Sequence, residues 1–389
     1  MELELNKLIL TLAFCSSFLT ACNSGGGGSS SSDYSGGMSV TIAPGSAGIC
    51  QYVNAPCVTV NVCDTGNSNC STINNVLLDT GSYGLRVFNS TLSQSTLNNL
   101  VPVTYNSNPV GECVSYGDGS QNWGGIYFAN IQLNSSNVAS GIPIQIINSS
   151  FQTSPSACYN ATTSPSAFGV NGILGVGVYQ QDGGDYYSCA NNVCSRISLP
   201  ANKQVTNPIS ALPNNNNGLT ISFPNVSNTG SNNISGVMQF GVNTNSNNTI
   251  TTNNNFTATL NSDGLPIFNS LLNGNSYSSF LDSCTNTLGV SNSGLPTSSG
   301  FLNPAANTVL NITSLNSSSV YVNTFVTIAS LSSLNTNYYD AFNDIGTDLS
   351  FGTATNYIDF GMPYFYGKTI QIVFNGKSSN IGDGPLWAW

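Results

Sequence analysis

The sequence predicts an all-β protein of two lobes, with a cleft between them and few short helices. Three observations predict it. Charged residues make up only 6% of the chain, so Asn, Ser, Thr and Gly supply its polarity; these residues are poor in helix interiors and good in turns. Hydrophobic residues make up 40% of 389 residues, enough for two real cores. One short pattern also occurs twice. Asp79-Thr80-Gly81-Ser82 follows the apolar Val76-Leu77-Leu78, and Asp282-Ser283 follows Phe280-Leu281.

Composition excludes several chemistries. The chain has no His, so a Ser-His-Asp triad, a Cys-His pair and a histidine metal site are ruled out. Six Lys and Arg against sixteen Asp and Glu, for a net charge of -10, leave no basic patch for nucleic acid.

In chain order, Lys7 is followed by the apolar stretch from Leu8 to Ala21, too short to span a membrane. It ends Leu19-Thr20-Ala21-Cys22, which resembles a lipobox. Residues 1–21 therefore read as a bacterial lipoprotein signal, with Cys22 lipidated after cleavage. The weighed alternative is an ordinary secretory signal with an incidental Cys. Residues 22–44 carry the lipid and a Gly/Ser tether, whose 15 or so residues after Cys22 reach roughly 20–25 Å. This implies a protein of the bacterial cell envelope that meets the membrane only through its anchor. Asn23 favours the outer membrane, by resemblance to enterobacterial lipoproteins. The body divides into an N-terminal lobe at 45–205, a connection at 206–235 and a C-terminal lobe at 236–389.

Short strands broken by turn residues fill the body. Val58-Thr59-Val60-Asn61-Val62 alternates, Asp64-Thr65-Gly66-Asn67 turns the chain, and Ile73 to Leu78 returns into Asp79. The Asp-Thr-Gly at 64–66 lies between two cysteines and reads as a closed turn. Tyr116-Gly117-Asp118-Gly119-Ser120 reads as a hairpin tip, with Asp118 a turn former and Trp123 packed beneath. Arg86 reads as a partner for a carboxylate. Short helices are expected around 91–99 and 265–273, and Asn- and Ser-rich loops at 213–218, 225–234 and 243–255.

Of eleven Cys, Cys15 leaves with the signal and Cys22 carries lipid. The close pairs Cys50/Cys57, Cys63/Cys70 and Cys189/Cys194 suggest short disulfide loops in an oxidising compartment. Cys113 and Cys158 are candidates for a fourth bridge, and Cys284 for the remaining free thiol. Spacing leaves the connectivity open. No two pairs show the paired C-x2-C spacing of a cysteine metal site, and no metal or cofactor is expected.

Two Asp residues at the ends of apolar strands suggest a carboxylate dyad. Facing carboxylates cannot both ionise, so they share a proton; one then acts as base toward a water and the other as acid. With these segments the chain resembles the pepsin-like aspartic peptidases, over nearly all of 55–375, and more closely a branch of bacterial lipoproteins of that kind. The latter likeness rests on Asp79 to Arg86, Asn207-Pro208 and Gly384-Pro385. The resemblance implies a double β-barrel with Asp79 and Asp282 as the catalytic pair. Thr80 and Ser283 would cross-link the two turns, Gly81 would allow close backbone approach, and Ser82 and Thr285 would bond the outer carboxylate oxygens. Tyr116, followed by Gly117, would be the flap tyrosine. Ile173-Leu174-Gly175 and Asp359-Phe360-Gly361 would thread the turns.

Two positions depart from that pattern. Asp359 stands where an apolar residue is expected, and Cys284 where Gly is. The implied function is an envelope-anchored aspartic endopeptidase, a monomer taking a peptide or protein in its cleft. The alternatives are an inactive lipoprotein that binds peptides or envelope partners, and a surface-structural or adhesion protein suggested by the Asn/Ser/Thr-rich surface.

Overall fold

The computed structural model describes residues 36–42, 50, 52–249, 252, 254–262, 264–334, 339–349 and 356–389. The signal, Cys22 and residues 23–35 and 43–44 of the tether lie outside the described residues; Gly37–Ile42, expected within the tether, is instead a mostly buried strand, because its alternating apolar Met38, Val40 and Ile42 face the core. No described helix is long and apolar enough to cross a membrane.

The fold is all-β with a few short helices, as the composition predicts. The strand Cys70–Asp79 alternates exposed and buried residues at first and ends on four buried ones. Asn275–Asp282 also ends on four buried residues. The change from alternation to an unbroken apolar run marks where each strand enters the interior.

Each lobe then threads a strand through its own turn. Gly172–Val176 runs parallel to the first of these strands, with Gly175 opposite Asp79. Its other edge pairs antiparallel with Tyr83–Phe88. In the second lobe Tyr357–Gly361 runs parallel to Asn275–Asp282, with Gly361 opposite Asp282, and antiparallel to Leu288–Val290. The threading leaves no room for side chains at these glycines. A Cβ on Gly175 would stand 2.5 Å from the Tyr83 nitrogen, and one on Gly361 would collide with the Thr287 carbonyl. Two such threaded turns, one per lobe, give the all-β fold an internal repeat.

A shared sheet joins the lobes. Gly37–Ile42, Ile234–Phe240, Gly218–Ser222, Thr369–Val373, Leu386–Ala388 and Asn255–Thr257 pair in that order. One apolar cluster runs through both halves and includes Leu78, Leu85, Leu174, Leu281, Phe360 and Trp387. Each such side chain contributes about 1.5–3 kcal/mol on burial.

The helix expected near 91–99 forms as Gln94–Asn99, capped by the Ser93 hydroxyl accepting from the Thr96 amide. The helix expected at 265–273 does not form. Pro266–Leu272 is a strand that pairs with Asn275–Asp282 through a tight turn at Asn273 and Gly274. Both turn residues have positive φ, 53° and 79°, as Asn-Gly favours in a two-residue hairpin.

All four suggested disulfides form: Cys50–Cys57, Cys63–Cys70, Cys113–Cys158 and Cys189–Cys194. Cys284 is the free cysteine among the described residues. The last bridge staples a hairpin. Asp185–Ala190 pairs with Val193–Ile197, and Cys189 stands directly opposite Cys194. Cys189 faces inward and is buried, whereas Cys194 lies on an outer strand with no buried residue and is itself only half-buried.

Candidate active site

The two threaded turns meet face to face. The Thr80 amide donates to Ser283 Oγ at 3.1 Å, and the Ser283 amide to Thr80 Oγ1 at 2.9 Å. Thr80 Oγ1 donates to the Leu281 carbonyl at 3.0 Å, and Ser283 Oγ to the Leu78 carbonyl at 2.7 Å. Each of these donors of one turn thus finds an acceptor in the other lobe, and the two turns are locked together.

That lock brings Asp79 and Asp282 together. An oxygen of each, and the Cys284 sulfur, lie within 4.8 Å of one another. Asp79 Oδ1 accepts from the amides of Gly81 (2.7 Å) and Ser82 (3.2 Å), and Oδ2 from the Ser82 hydroxyl. Asp282 Oδ1 accepts from the Cys284 amide at 3.0 Å and Oδ2 from Thr285 Oγ1 at 3.1 Å. The arrangement is a pseudo-twofold, in which Ser82 and Thr285 hold equivalent oxygens.

Both aspartates have no exposed surface. Burial holds the Asp79 carboxyl above the ordinary carboxylate range, against its hydrogen bonds. Burial, then the charge of Asp79, pushes Asp282 well above it. The pair accordingly shares a proton. Burial likewise pushes the Cys284 thiol well up, so it is a neutral thiol and a poor nucleophile. The trio stands close enough to touch one cation, while its own donors already engage both carboxylates.

Gly81 and Cys284 are equivalent in the two turns. A Cβ on Gly81 would lie 2.7 Å from the Asp282 carboxyl carbon. At 284 that space is filled: the side chain packs with Leu77, Val114, Tyr116, Val170, Ile173 and the Cys50–Cys57 bridge. It lines a cavity of about 60 Å³ together with Tyr52, Tyr116 and Phe168. Tyr116 sits at the tip of the hairpin Asn108–Ser115/Gln121–Gln132. Its ring is 2% exposed and its hydroxyl accepts from Asn122 at 2.8 Å. The Gly117 that follows Tyr116 lies in the same tip, closed by the Tyr116 amide on the Ser120 carbonyl.

The neighbouring residues fall into structural roles. Arg86 donates to the Tyr83 carbonyl at 2.6 Å, to Glu112 at 3.0 Å and to Asp182 at 2.5 Å, with all three side chains buried. It braces the exit of the first turn against the strand Asn108–Ser115, which carries Glu112. Asp118 accepts from the Ser120 amide, Trp123 is buried against Tyr187, and Asp64 ties the 64–69 turn through Ser68 and Asn69.

The cysteine bridges divide by their relation to the site. Cys50–Cys57 belongs to the same apolar cluster as Cys284. Cys189 and Cys194 do not reach the dyad. They belong to a separate apolar cluster with Trp123, Tyr187 and the Cys113–Cys158 bridge, and Cys194 is at its partly exposed edge. As the sequence suggests, Cys194 pairs with Cys189, and the bridge staples the Asp185–Ala190 hairpin. That hairpin pairs with the strand Asn108–Ser115.

Sequence reasoning missed Asn54. It is fully buried at φ 60° inside the Cys50–Cys57 loop and reaches into the second lobe. Its amide donates to the carbonyls of Asn286 and Phe342, while its oxygen accepts from the Phe342 amide and the Tyr366 hydroxyl. An Asn in a cysteine loop gives no signal of partners so far along the chain.

The family described as "Protein of unknown function (DUF3443)" matches residues 32–389. No curated protein matches the chain. Among solved structures, the crystal structure of basic 7S globulin from soybean is similar at TM-score 0.46 and 10% identity, covering 86% of this chain and 91% of that one.

Proposed function

We propose, for a chain that belongs to this family of proteins of unknown function, that it is an aspartic endopeptidase anchored in the bacterial cell envelope. The observation that carries the reading is the close approach of Asp79 and Asp282, within 4.8 Å and held by the reciprocal Thr80 and Ser283 bonds. In this mechanism the ionised member takes a proton from a water. The water attacks the peptide carbonyl, and the protonated member donates to the developing oxyanion. Tyr116 closes over the peptide. The full chain incubated with a peptide library at acidic pH should release products, and Asp79→Asn should cut the rate by about 10²-fold or more. No cleavage at any acidic pH sinks the peptidase reading.

The full burial of the dyad and the side chain at 284 favour a second reading, a lipoprotein that binds peptides without turnover. Binding of library peptides that is unchanged in Asp79→Asn, with no cleavage, selects it. Anchoring is a separate part of the proposal, supported by Leu19-Thr20-Ala21-Cys22. Full-length protein should partition with outer membranes as a monomer, and Cys22→Ser should release it. Equal partitioning of the two proteins refutes the anchor.

A further inference from the structure

The dyad is closed. Asp79, Asp282 and Cys284 have no exposed surface, so a ligand reaches them only if part of the molecule moves. Two pieces of chain cover this side of the site. One is the tip of the Tyr116 hairpin, residues 116–120. The other is the segment 148–171, which links Val138–Ile147 to Gly172–Val176. Both line the cavity that Cys284 lines, the tip through Asp118 and Ser120 and the linking segment through Thr162 and Phe168.

The two pieces are joined to each other at several points. Cys158 of the linking segment is disulfide-bonded to Cys113 on the hairpin strand Asn108–Ser115. Gln121, on the other hairpin strand, clasps the segment three times. Its Nε2 donates to the Ala157 carbonyl at 2.8 Å, its Oε1 accepts from the Asn160 amide at 3.0 Å, and its own carbonyl accepts from the Thr162 amide at 2.7 Å. Asn160 Nδ2 donates to the Gly119 carbonyl in the tip at 3.3 Å. Among the described residues, the hydrogen bonds of 153–162 stay within that segment or end on the hairpin. Toward the rest of the lobe the segment is held just beyond, at 164–169. Ser164 caps the single turn Pro165–Phe168, its hydroxyl accepting from the Ala167 amide. The Phe168 ring lies 5.7 Å from that of Tyr116, and the Gly169 carbonyl accepts from the Cys50 amide at 2.7 Å.

We infer that the hairpin tip and segment 153–163 form one lid over the dyad, which opens as a body when the turn Pro165–Phe168 unwinds. The bridge and the bonds of Gln121 and Asn160 tie the two pieces together, so neither lifts without the other. The turn is the weak joint, because it is held by few backbone bonds: the Phe168 amide on the Ser164 carbonyl at 3.1 Å and the Gly169 amide on the Pro165 carbonyl at 2.7 Å. So short a helix has little stability of its own. A residue rises about 1.5 Å in a helix and about 3.3 Å when extended, so unwinding this turn gives the lid about 7 Å of slack. The inference does not rest on the peptidase reading, since a peptide held without turnover needs the same opening.

The test is hydrogen exchange of the full chain, resolved to single amides by mass spectrometry, beside alkylation of Cys284 followed on its own peptide. Each is expressed as protection relative to the unfolded chain. If the lid moves as one body, the Thr162 amide stays on Gln121 during opening, while the Gly169 amide leaves Pro165. Gly169 should then be no better protected than Cys284, and Thr162 should be protected about tenfold more than Cys284 or better. Cys113→Ser with Cys158→Ser removes the covalent tie, and Thr162 protection should fall to that of Cys284. Where that double variant does not fold, Gln121→Ala, which removes the Ala157 and Asn160 bonds, should lower Thr162 protection in the same direction. Thr162 protection equal to that of Cys284 in the wild-type protein overturns the inference, because the hairpin then opens alone. Gly169 better protected than Cys284 overturns it too, and so does a folded variant that leaves Thr162 unchanged. Cys284 as protected as the amides of the central strands would mean that only global unfolding exposes it, and the lid fails. Cleavage enters none of these measurements, so the peptidase reading stands or fails separately.

Discussion

At the scale of single residues, position 284 decides most. Gly81 lets the first turn press against Asp282, whereas its counterpart Cys284 sets a sulfur within 4.8 Å of both carboxylates. The thiol is neutral and a poor nucleophile, so its effect on the proposed reaction is steric: it fills space beside Tyr116 and the dyad. Cys284→Gly should raise peptide cleavage at acidic pH above the weak rate of the wild-type protein, and adding Asp79→Asn should abolish the gain. Rates must be compared at equal folded protein, because Gly also loosens the unfolded chain. Unchanged cleavage by a folded Cys284→Gly removes the obstruction argument. The motif residues here were legible from sequence because each turn is contiguous: Asp79, Thr80 and Ser82 lie within four positions, as do Asp282, Ser283 and Thr285. Asn54 was not legible, since its partners are set only by how the lobes dock. Cys194 shows the converse: its pairing with Cys189, five residues away, was legible from proximity alone.

At the scale of elements, the hydrophobic runs ending in Asp79 and Asp282 placed both central strands, and the Ile173-Leu174-Gly175 and Phe360-Gly361 segments placed their threads. The 265–273 segment was misread because its apolar residues also suit one helix face, while the competing signal, Asn273-Gly274, lies at its very end. That dipeptide fixes a hairpin, and the hairpin supplies the strand that supports Asp282. The Cys50–Cys57 loop is the other element with long reach. Asn54 offers four hydrogen bonds between lobes, three of them buried. Asn54→Ala leaves the Phe342 amide and two carbonyls without partners, at about 1–3 kcal/mol for each group that water does not reach. The variant should unfold at lower denaturant with an unchanged m-value, losing about 3 kcal/mol or more. A loss below about 0.5 kcal/mol would show that the loop does not hold the lobes together.

At the scale of the whole molecule, two lobes share one sheet and close over a cluster of acids. The two-lobe plan was legible from the repeated Asp pattern, but the joining sheet was not, because its strands come from opposite ends of the chain. The enclosed acids make stability depend on pH in an unusual direction. Burial is the leading cause that raises Asp79, Asp282, Asp359 and Glu112, and it brings Asp344 up to about 6. For a carboxyl raised in the folded state, the contribution is fully present below the unfolded value of about 3.9 and is lost as pH rises through the folded value. Each proton held only by the folded state lowers stability by about 1.4 kcal/mol per pH unit in that window. Lys368 works in the opposite direction. Burial lowers it to about 8, so its unfavourable effect fades only as pH rises above that value. Between pH 4.5 and 7 it is protonated in both states and adds no slope, so the carboxyls decide the sign. Thermal unfolding of fragment 38–389 should therefore show its highest Tm near pH 4–5 and a steady fall toward pH 7. Asp359→Leu and Asp282→Asn should each flatten that fall, because each removes one group that must keep or share a proton. A Tm that rises from pH 4.5 to 7, as in proteins whose carboxylates are stabilised ionised, would mean that the enclosed acids are not held protonated. The shared-proton account of the site would then fail with it.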